Sequence, residues 1–205
     1  MTTERTEAEP LDMNPADHIA DPGPLGLAGF AMTTFVLSCF NAGLVAKELE
    51  TVVLPLALFY GGLAQLLAGM WEFRKANTFG AVAFSSYGAF WLSFAAYARF
   101  VAPGLPPAGA PTATGLFLLA WTIFTAYMTI ASLRVSGAVA VVFILLLATF
   151  LVLTIGAFTR AGGITAAGGY LGLATALAAW YASSAGVINT TFGRTVVPVF
   201  PRAVR

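Results

Sequence analysis

Residues 137–159 read GAVAVVFILLLATFLVLTIGAFT, an unbroken apolar run without a charged residue. A helix of this length rises ~35 Å at ~1.5 Å per residue, which is enough to cross a hydrocarbon layer of ~30 Å. The whole chain has the same character, with 59% apolar residues, 9% charged residues and a mean hydropathy of +0.84. One aqueous core could not bury so much apolar surface, whereas helices in lipid satisfy their own backbone amides. The sequence therefore predicts an all-α integral membrane protein.

The chain contains six such stretches, separated by charged or Pro/Gly-rich segments. Reading residues 112–159 as one helix would give a length of ~70 Å, more than twice the hydrocarbon thickness, so this region must turn near Arg134. The result is a six-transmembrane-helix bundle. Its predicted spans are residues 25–46, 52–72, 78–101, 113–134, 137–159 and 165–188.

The charges predict how the chain is oriented. Residues 1–24 are acidic and contain proline, which is typical of a disordered tail; residues 25–190 form the six-helix domain, and residues 191–205 a basic C-terminal segment. An even number of spans places both termini on one side. The basic residues are more numerous on that side, so we expect both termini to be cytoplasmic and the protein to lie in the plasma or inner membrane.

The spans lack the side chains that several functions require. None carries an acidic, basic or histidine residue near its middle, which disfavours a cation pore, a proton pump and an intramembrane enzyme. With His18 as the one histidine and Cys39 as the one cysteine, no zinc site is expected. We expect no metal, no cofactor and no nucleic-acid partner. A path lined by hydroxyls, amides and aromatics suits a small neutral or weakly anionic solute.

Three polar residues inside the spans stand out. Gln65 has a primary amide that is costly to bury alone, so it either clamps a neighbouring helix or meets water and solute. Glu72 lies at the end of its span, where a rim salt bridge, an interfacial anchor and a proton-coupling role are all compatible with its position. Tyr87 lies in mid-span, where its hydroxyl needs a partner and its ring could narrow a pore. Trp71, Phe73 and Trp91 fit an interfacial belt.

Three long motifs resemble one known family. The stretch DPGPLGLAGFAMTTFVLSCFNAG from Asp21 to Gly43 is similar to the opening motif and first span of the acetate uptake transporters, which include the bacterial succinate–acetate permeases. The stretch FYGGLAQLLAGMWEFRKANTFGAVAFSSYGAFWLSF from Phe59 to Phe94 resembles the family core, and TFGRTVVPVF from Thr191 to Phe200 its C-terminal signature. The resemblance covers the chain after the acidic tail.

The resemblance implies a ring-shaped homo-hexamer in which each subunit has its own solute path. By motif and span alignment, a hydrophobic constriction would consist of Phe30, Tyr87 and Leu146. Polar family positions beside the path would be Thr33, Gln65 and Thr125. The cytoplasmic mouth, where coupling to protons could occur, would hold Asp21, Glu72 and Asn77.

Three positions depart from the family pattern. Asp21 replaces the opening Asn of the first motif and adds a negative charge at the cytoplasmic mouth, and Gly23 replaces the first Ala of the same motif. Gly186 stands where the family often has Glu, so a coupling role of that Glu does not transfer to this chain.

The leading hypothesis is therefore a permease for acetate and related monocarboxylates, with succinate as a further substrate. It would work as a channel or as a proton-linked carrier. The alternative is a non-transporting interaction or sensing protein that keeps the bundle but has a closed path. Apart from the solute, the expected partners are membrane lipid and further copies of the chain.

Overall fold

The computed structural model describes residues 19–201, so most of the predicted acidic tail and the last four residues lie outside the described part of the chain. Within it, six helices are long and apolar enough to cross a membrane, as predicted. They are α1 Gly23–Asn41, α2 Lys47–Arg74, α3 Thr78–Gly104, α4 Ala110–Ser132, α5 Gly137–Thr159 and α6 Gly162–Phe192.

The boundary between α4 and α5 lies where helix length required it. Helix α4 ends at Ser132, and α5 begins after Ser136, whose hydroxyl oxygen accepts a hydrogen bond of 3.2 Å from the Val139 amide. This is an ordinary N-cap that satisfies one of the free amides of the first turn. The first helix is shorter than predicted, because the chain turns after Asn41 with Gly43 in a left-handed conformation. The last helix is longer and ends at Phe192.

Helix α1 is packed against other helices on two of its faces. One of its faces packs on α6 and the other on α2 and α3, while α4, α5 and α6 pack in sequence. Helices α3 and α4 share few backbone contacts and meet through side chains instead, including a stacked pair of Tyr97 and Phe117 with ring centroids 5.5 Å apart. This side of the bundle, where two neighbouring helices are less closely packed, borders a wide cavity.

The contact between α1 and α2 is close enough to exclude side chains. Helix α2 contains a π-helical turn at Phe59–Ala64, and Gly29 of α1 lies against it. A Cβ atom on Gly29 would lie 2.5 Å from the Tyr60 carbonyl oxygen, so only glycine permits this approach. Small residues at helix contacts are usual in membranes, and π turns interrupt helices at functional sites.

Residues 194–201, which we call the C-terminal strap, return from α6 to the start of α5. The Asn189 amide oxygen accepts hydrogen bonds from the Val196 and Val197 amides at 2.7 and 2.9 Å. The carbonyls of Val199 and Phe200 accept from the amides of Ala138 and Gly137 at 3.2 and 2.8 Å. The strap thus satisfies free amides at the first turn of α5, the helix that carries Leu146.

Candidate functional site

Phe30, Tyr87 and Leu146 lie on three different helices, α1, α3 and α5, and all three are buried in the hydrophobic core. The ring centroids of Phe30 and Tyr87 are 6.0 Å apart, and Tyr87 is equally close to Phe143 of α5. The Tyr87 ring also meets Phe124 of α4 edge to face, with centroids 5.2 Å apart. The structure therefore brings together the three residues that the motifs indicated, within a larger aromatic cluster.

A wide cavity of about 810 Å³ opens above this cluster, on the side of the bundle where α1 ends and α2 begins. We call it the vestibule. Its charged lining residues are Lys47, Glu50 and Arg160. Its apolar lining includes the following residues of α1, α3 and α5: Phe30, Phe90, Leu146 and Phe150.

A second cavity, of about 20 Å³, lies beside the same cluster, and we call it the inner cavity. It is lined by Leu27, Phe30, Gln65, Ala83, Phe84, Tyr87, Val142, Phe143 and Leu146. Its volume holds about one water molecule, so a solute of four heavy atoms such as acetate enters only when side chains move. Phe30 and Leu146 line both cavities. These two side chains are thus the wall between the vestibule and the inner cavity.

Gln65 is the one side chain with a polar end group in the lining of the inner cavity, apart from the phenol of Tyr87. It is only 1% exposed, and its Oε1 atom has no hydrogen-bond partner within residues 19–201. An unpartnered buried amide oxygen costs free energy, and in native proteins such groups are rare. Of the two roles that the sequence left open, contact with solute or water fits this geometry better than a helix clamp.

Thr125 and Thr33 line neither cavity. The hydroxyls of Thr125 and Tyr87 form a hydrogen bond of 2.9 Å, which fixes the phenol of a residue that lines the inner cavity. The Thr33 hydroxyl donates to the Gly29 carbonyl at 2.9 Å and approaches the Leu56 carbonyl at 3.4 Å, at the contact of α1 with α2. Their positions indicate that Thr125 orients the constriction and Thr33 supports the helix contact.

Asp21, Glu72 and Asn77 lie together at the opposite end of the bundle from the vestibule. The Glu72 side chain is 2% exposed, and its Oε2 accepts a hydrogen bond of 2.8 Å from the Asn77 amide nitrogen. Asn77 also caps α3, because its Oδ1 accepts from the Gly80 amide at 3.2 Å. Asp21 accepts from the Gly23 amide at 3.0 Å.

Glu72 is held close to the starts of α1 and α3. A Cβ atom on Gly80 would lie 2.8 Å from the Glu72 Oε1, and one on Gly23 would lie 3.6 Å from it. Within residues 19–201 the one ion pair is that of Lys47 with Glu50, so Glu72 makes no rim salt bridge there. The carboxylate is instead buried at the end of α2, close to the first turns of α1 and α3, whose N-termini carry partial positive charge.

Sequence reasoning missed part of the path lining. Val142, Phe143 and Phe84 line the inner cavity, but each belongs to an apolar run without a distinguishing pattern. The belt position of Trp91 was wrong, because this side chain is 2% exposed and lies in the core, whereas Trp71 and Phe73 are exposed on the helix surface. Helix α3 extends to Gly104, beyond the predicted end of the span at residue 101. Trp91 therefore lies farther from the end of its helix than the predicted span suggested.

The profile of the GPR1/FUN34/yaaH family matches residues 5–202 of the chain. The chain belongs to this family. The resemblance that the three motifs indicated is thereby confirmed. Residues 19–201, arranged as six apolar helices in a family of membrane transporters, form a multi-pass membrane protein.

Two relatives and one solved structure document the similarity. Accumulation of dyads protein 2 of Saccharomyces cerevisiae is 43% identical over 91% of this chain and 68% of its own length. The succinate-acetate/proton symporter SatP of Escherichia coli is 39% identical over 88% of this chain and 95% of its own length. The structure of the bacterial acetate channel SatP superposes with a TM-score of 0.83 at 39% identity, covering 88% of this chain and 99% of that chain.

Proposed function

We propose that this protein carries acetate and related small monocarboxylates across the membrane, with succinate as a further substrate. The observation that carries the proposal is the wall between the two cavities. Phe30 and Leu146 border both the vestibule and the inner cavity, and Gln65, whose Oε1 has no hydrogen-bond partner within the described residues, lines the inner cavity with them. Homology to a succinate-acetate/proton symporter and to an acetate channel supports the choice of solute.

The proposed path runs from the vestibule, past the constriction of Phe30, Tyr87 and Leu146, to Gln65 and on toward Glu72. An apolar constriction excludes water until a solute displaces the side chains, and it contains no fixed charge that would trap an anion. The Gln65 amide N–H groups replace part of the hydration shell of the carboxylate once the solute has passed, and its Oε1 accepts from water or from a protonated solute. Thr125 keeps Tyr87 in its position through the hydroxyl hydrogen bond.

If transport is linked to protons, the Glu72 carboxylate is the proposed proton carrier. Asp21 and Asn77 lie beside it and complete the proposed cytoplasmic mouth of the path. This role is supported by the environment of Glu72. Its side chain is buried, it forms no ion pair within the described residues, and one side chain, that of Asn77, donates a hydrogen bond to it. A channel mechanism would leave Glu72 as a structural residue. We further propose that the termini are cytoplasmic, because the basic residues are more numerous on their side of the membrane. We also propose that six copies assemble into a ring, as the family resemblance implies. Many large apolar side chains on the helix surfaces are exposed and would be covered by lipid or by a neighbouring subunit.

Uptake of labelled acetate into liposomes that contain the purified protein tests the function. We expect uptake above that of empty liposomes, and we expect Tyr87→Ala to change the rate or the range of solutes by widening the constriction. Tyr127→Ala is a matched control, because Tyr127 is half exposed on the neighbouring α4 and lines neither cavity. Uptake equal to that of empty liposomes would refute the proposal and favour the non-transporting alternative.

A further inference from the structure

We propose that the π turn of α2, with Gly62 as its positioning residue, sets the helix register that brings Gln65 and Glu72 to the path. The inference rests on the proposed function, because it explains how the two polar side chains that α2 contributes reach that path. Gly62 touches no solute in this account and acts only through the turn at Phe59–Ala64.

The buried face of α2 runs straight through the π turn. Val53 and Ala57 lie before the turn and are 1% and 0% exposed, and Gln65 and Glu72 lie after it and are 1% and 2% exposed. If α2 were α-helical throughout, at ~100° per residue, Gln65 would lie ~120° from Val53 around the helix axis and Glu72 ~100° from it. A regular helix with these residues would therefore split the buried face.

The extra residue of the π turn restores the alignment. A π turn joins each amide to the carbonyl five residues earlier and so holds one residue more than an α turn. This residue takes up ~100° of rotation, which leaves both Gln65 and Glu72 within ~20° of Val53. Without it, Gln65 would move to the half-buried position of Leu66. Glu72 would move to the position of Phe73, which is 58% exposed.

Gly62 is the residue that the π turn requires. A Cβ atom on Gly62 would collide with the carbonyl oxygen of Ala57, which lies five residues earlier in the same helix. Because this neighbour is backbone, a change of side-chain rotamer cannot relieve the collision. The Gly62 carbonyl oxygen also faces α3 closely, since a Cβ atom on Gly88 would lie 2.9 Å from it. A residue with a Cβ atom at position 62 is thus incompatible with the turn.

The neighbouring helices hold the turn on two sides. On the side of α1, Gly29 lies against the Tyr60 carbonyl oxygen, as described above. A Cβ atom on Gly61 would lie 2.5 Å from the Thr33 Oγ1 of α1 and 2.9 Å from the Trp91 Cδ1 of α3. Both helices therefore contact the turn directly, and the register of α2 is fixed before the chain reaches Gln65.

Substitution and deletion of the same glycine have different expected effects. Gly62→Ala adds a Cβ atom that the turn cannot hold, so the segment becomes α-helical and the second half of α2 rotates. Deletion of Gly62 removes the extra residue, so a regular α-helix keeps Gln65 and Glu72 on the buried face. We expect acetate uptake into liposomes to fall about tenfold or more in Gly62→Ala, because the polar groups leave their positions. We expect it to stay close to that of the wild type in the deletion. A glycine needed only for close packing predicts the reverse order, because a deletion disturbs more of the helix than an added methyl group.

A spin label at residue 67 measures the rotation without relying on transport. Leu67 is 50% exposed on the helix surface, whereas the next residue, Ala68, is 1% exposed. In a Cys39→Ser background, Leu67→Cys carries a nitroxide whose collisions with oxygen, measured by electron paramagnetic resonance, report exposure to lipid. We expect high oxygen accessibility in the otherwise unchanged protein and in the deletion of Gly62. We expect low accessibility in Gly62→Ala, where residue 67 takes the buried position of Ala68.

Two exposed residues of α2 provide matched controls. Leu63→Ala changes the neighbour of Gly62, which is 45% exposed and lines neither cavity, so uptake and label accessibility should not change. Met70 is 46% exposed and lies between Gln65 and Glu72, outside the π turn. Its deletion should abolish uptake, because these two side chains can then no longer share a face.

The outcomes separate the register of α2 from the transport function. A misfolded Gly62→Ala together with a folded and active deletion of Gly62 would support the proposal as well. Unchanged label accessibility in Gly62→Ala would overturn it, and so would a deletion of Gly62 that misfolds or a deletion of Met70 that keeps full uptake. Normal uptake by the wild type would leave the proposed function intact in those cases. The expected label accessibilities without uptake by the wild type would support the register and overturn the transport function.

Discussion

At the scale of single residues, a substitution of Gln65 distinguishes a role in transport from a role in helix packing. A buried polar atom without a partner costs about 1–3 kcal/mol, so its removal should not destabilise the fold unless the amide clamps a helix. We expect Gln65→Leu to lower acetate uptake about tenfold or more while the thermal unfolding temperature stays the same or rises. Normal uptake with a lower unfolding temperature would instead assign Gln65 to helix packing.

The hydroxyl pair of Tyr87 and Thr125 allows a double-mutant test of how the constriction is held. Thr125→Val removes one partner of the 2.9 Å hydrogen bond and leaves the buried phenol hydroxyl without a partner, which costs about 1–3 kcal/mol of unfolding free energy. Removing both partners with Tyr87→Phe and Thr125→Val should cost less than the sum of the single changes. Purely additive effects, measured by chemical denaturation in detergent, would show that the two hydroxyls do not stabilise each other.

At the scale of the elements, residue composition and helix length were sufficient to predict six helices and the turn near Arg134. They could not predict the π turn at Phe59–Ala64, because it depends on how α1 packs against Gly61 and how α3 packs against Gly62 rather than on any local pattern. Burial of Trp91 was missed for a similar reason: an aromatic residue in an apolar span suits the interface and the core equally well. Alignment of span five assigned Leu146 to the same constriction as Phe30, and the two side chains line both cavities. The vestibule depends on the separation of α3 from α4 and leaves no signal in the sequence.

The C-terminal strap explains at the element level why a polar residue ends α6. Asn189 makes three hydrogen bonds to the strap, one donated to the Val197 carbonyl and two accepted from backbone amides. Each contributes about 1 kcal/mol net, so Asn189→Ala should lower the unfolding free energy by about 2–3 kcal/mol. Release of the strap should also speed tryptic cleavage after the exposed Arg194.

Ser184→Ala is the control for the strap. Ser184 is exposed on the same helix and its hydroxyl donates only to the Tyr181 carbonyl, so cleavage after Arg194 should match that of the wild type. Equal cleavage rates in Asn189→Ala and the wild type would contradict the role assigned to Asn189.

At the scale of the whole molecule, the two halves of the bundle differ in how their buried polar groups are satisfied. The four buried side-chain polar atoms without a partner in the described residues belong to Thr34, Gln65, Ser85 and Trp91, all on α1 to α3. The buried threonines on α4 to α6 donate to their own helix or pair with each other, except Thr125, whose hydroxyl pairs with that of Tyr87 on α3. The unpartnered polar groups therefore lie on the first three helices, whereas both halves of the bundle contribute to the apolar wall of the proposed path, through Phe30 and Phe90 on one side and Leu146 and Phe150 on the other.

Proton linkage is a property of the whole path, with Glu72 as its proposed carrier. If transport is proton-linked, an inward pH gradient drives uphill acetate accumulation in the wild type. Glu72→Gln should then keep downhill flux and lose the accumulation, because the amide does not exchange a proton. Glu50→Gln, in the exposed ion pair at the vestibule, is the control and should still accumulate acetate. Accumulation that persists in Glu72→Gln would exclude Glu72 as the carrier, and no accumulation in the wild type would assign a channel.

The most direct test of the central claim is to block the proposed path at its narrowest point. In a Cys39→Ser background, Leu146→Cys places a thiol in the wall shared by the vestibule and the inner cavity, and a membrane-impermeant thiosulfonate then adds bulk there. Ile144→Cys is the control, since Ile144 lies on the outer surface of the same helix. We predict that modification abolishes acetate uptake in Leu146→Cys and leaves it unchanged in Ile144→Cys. Full uptake after complete modification of Leu146→Cys would contradict a path through each subunit at this constriction.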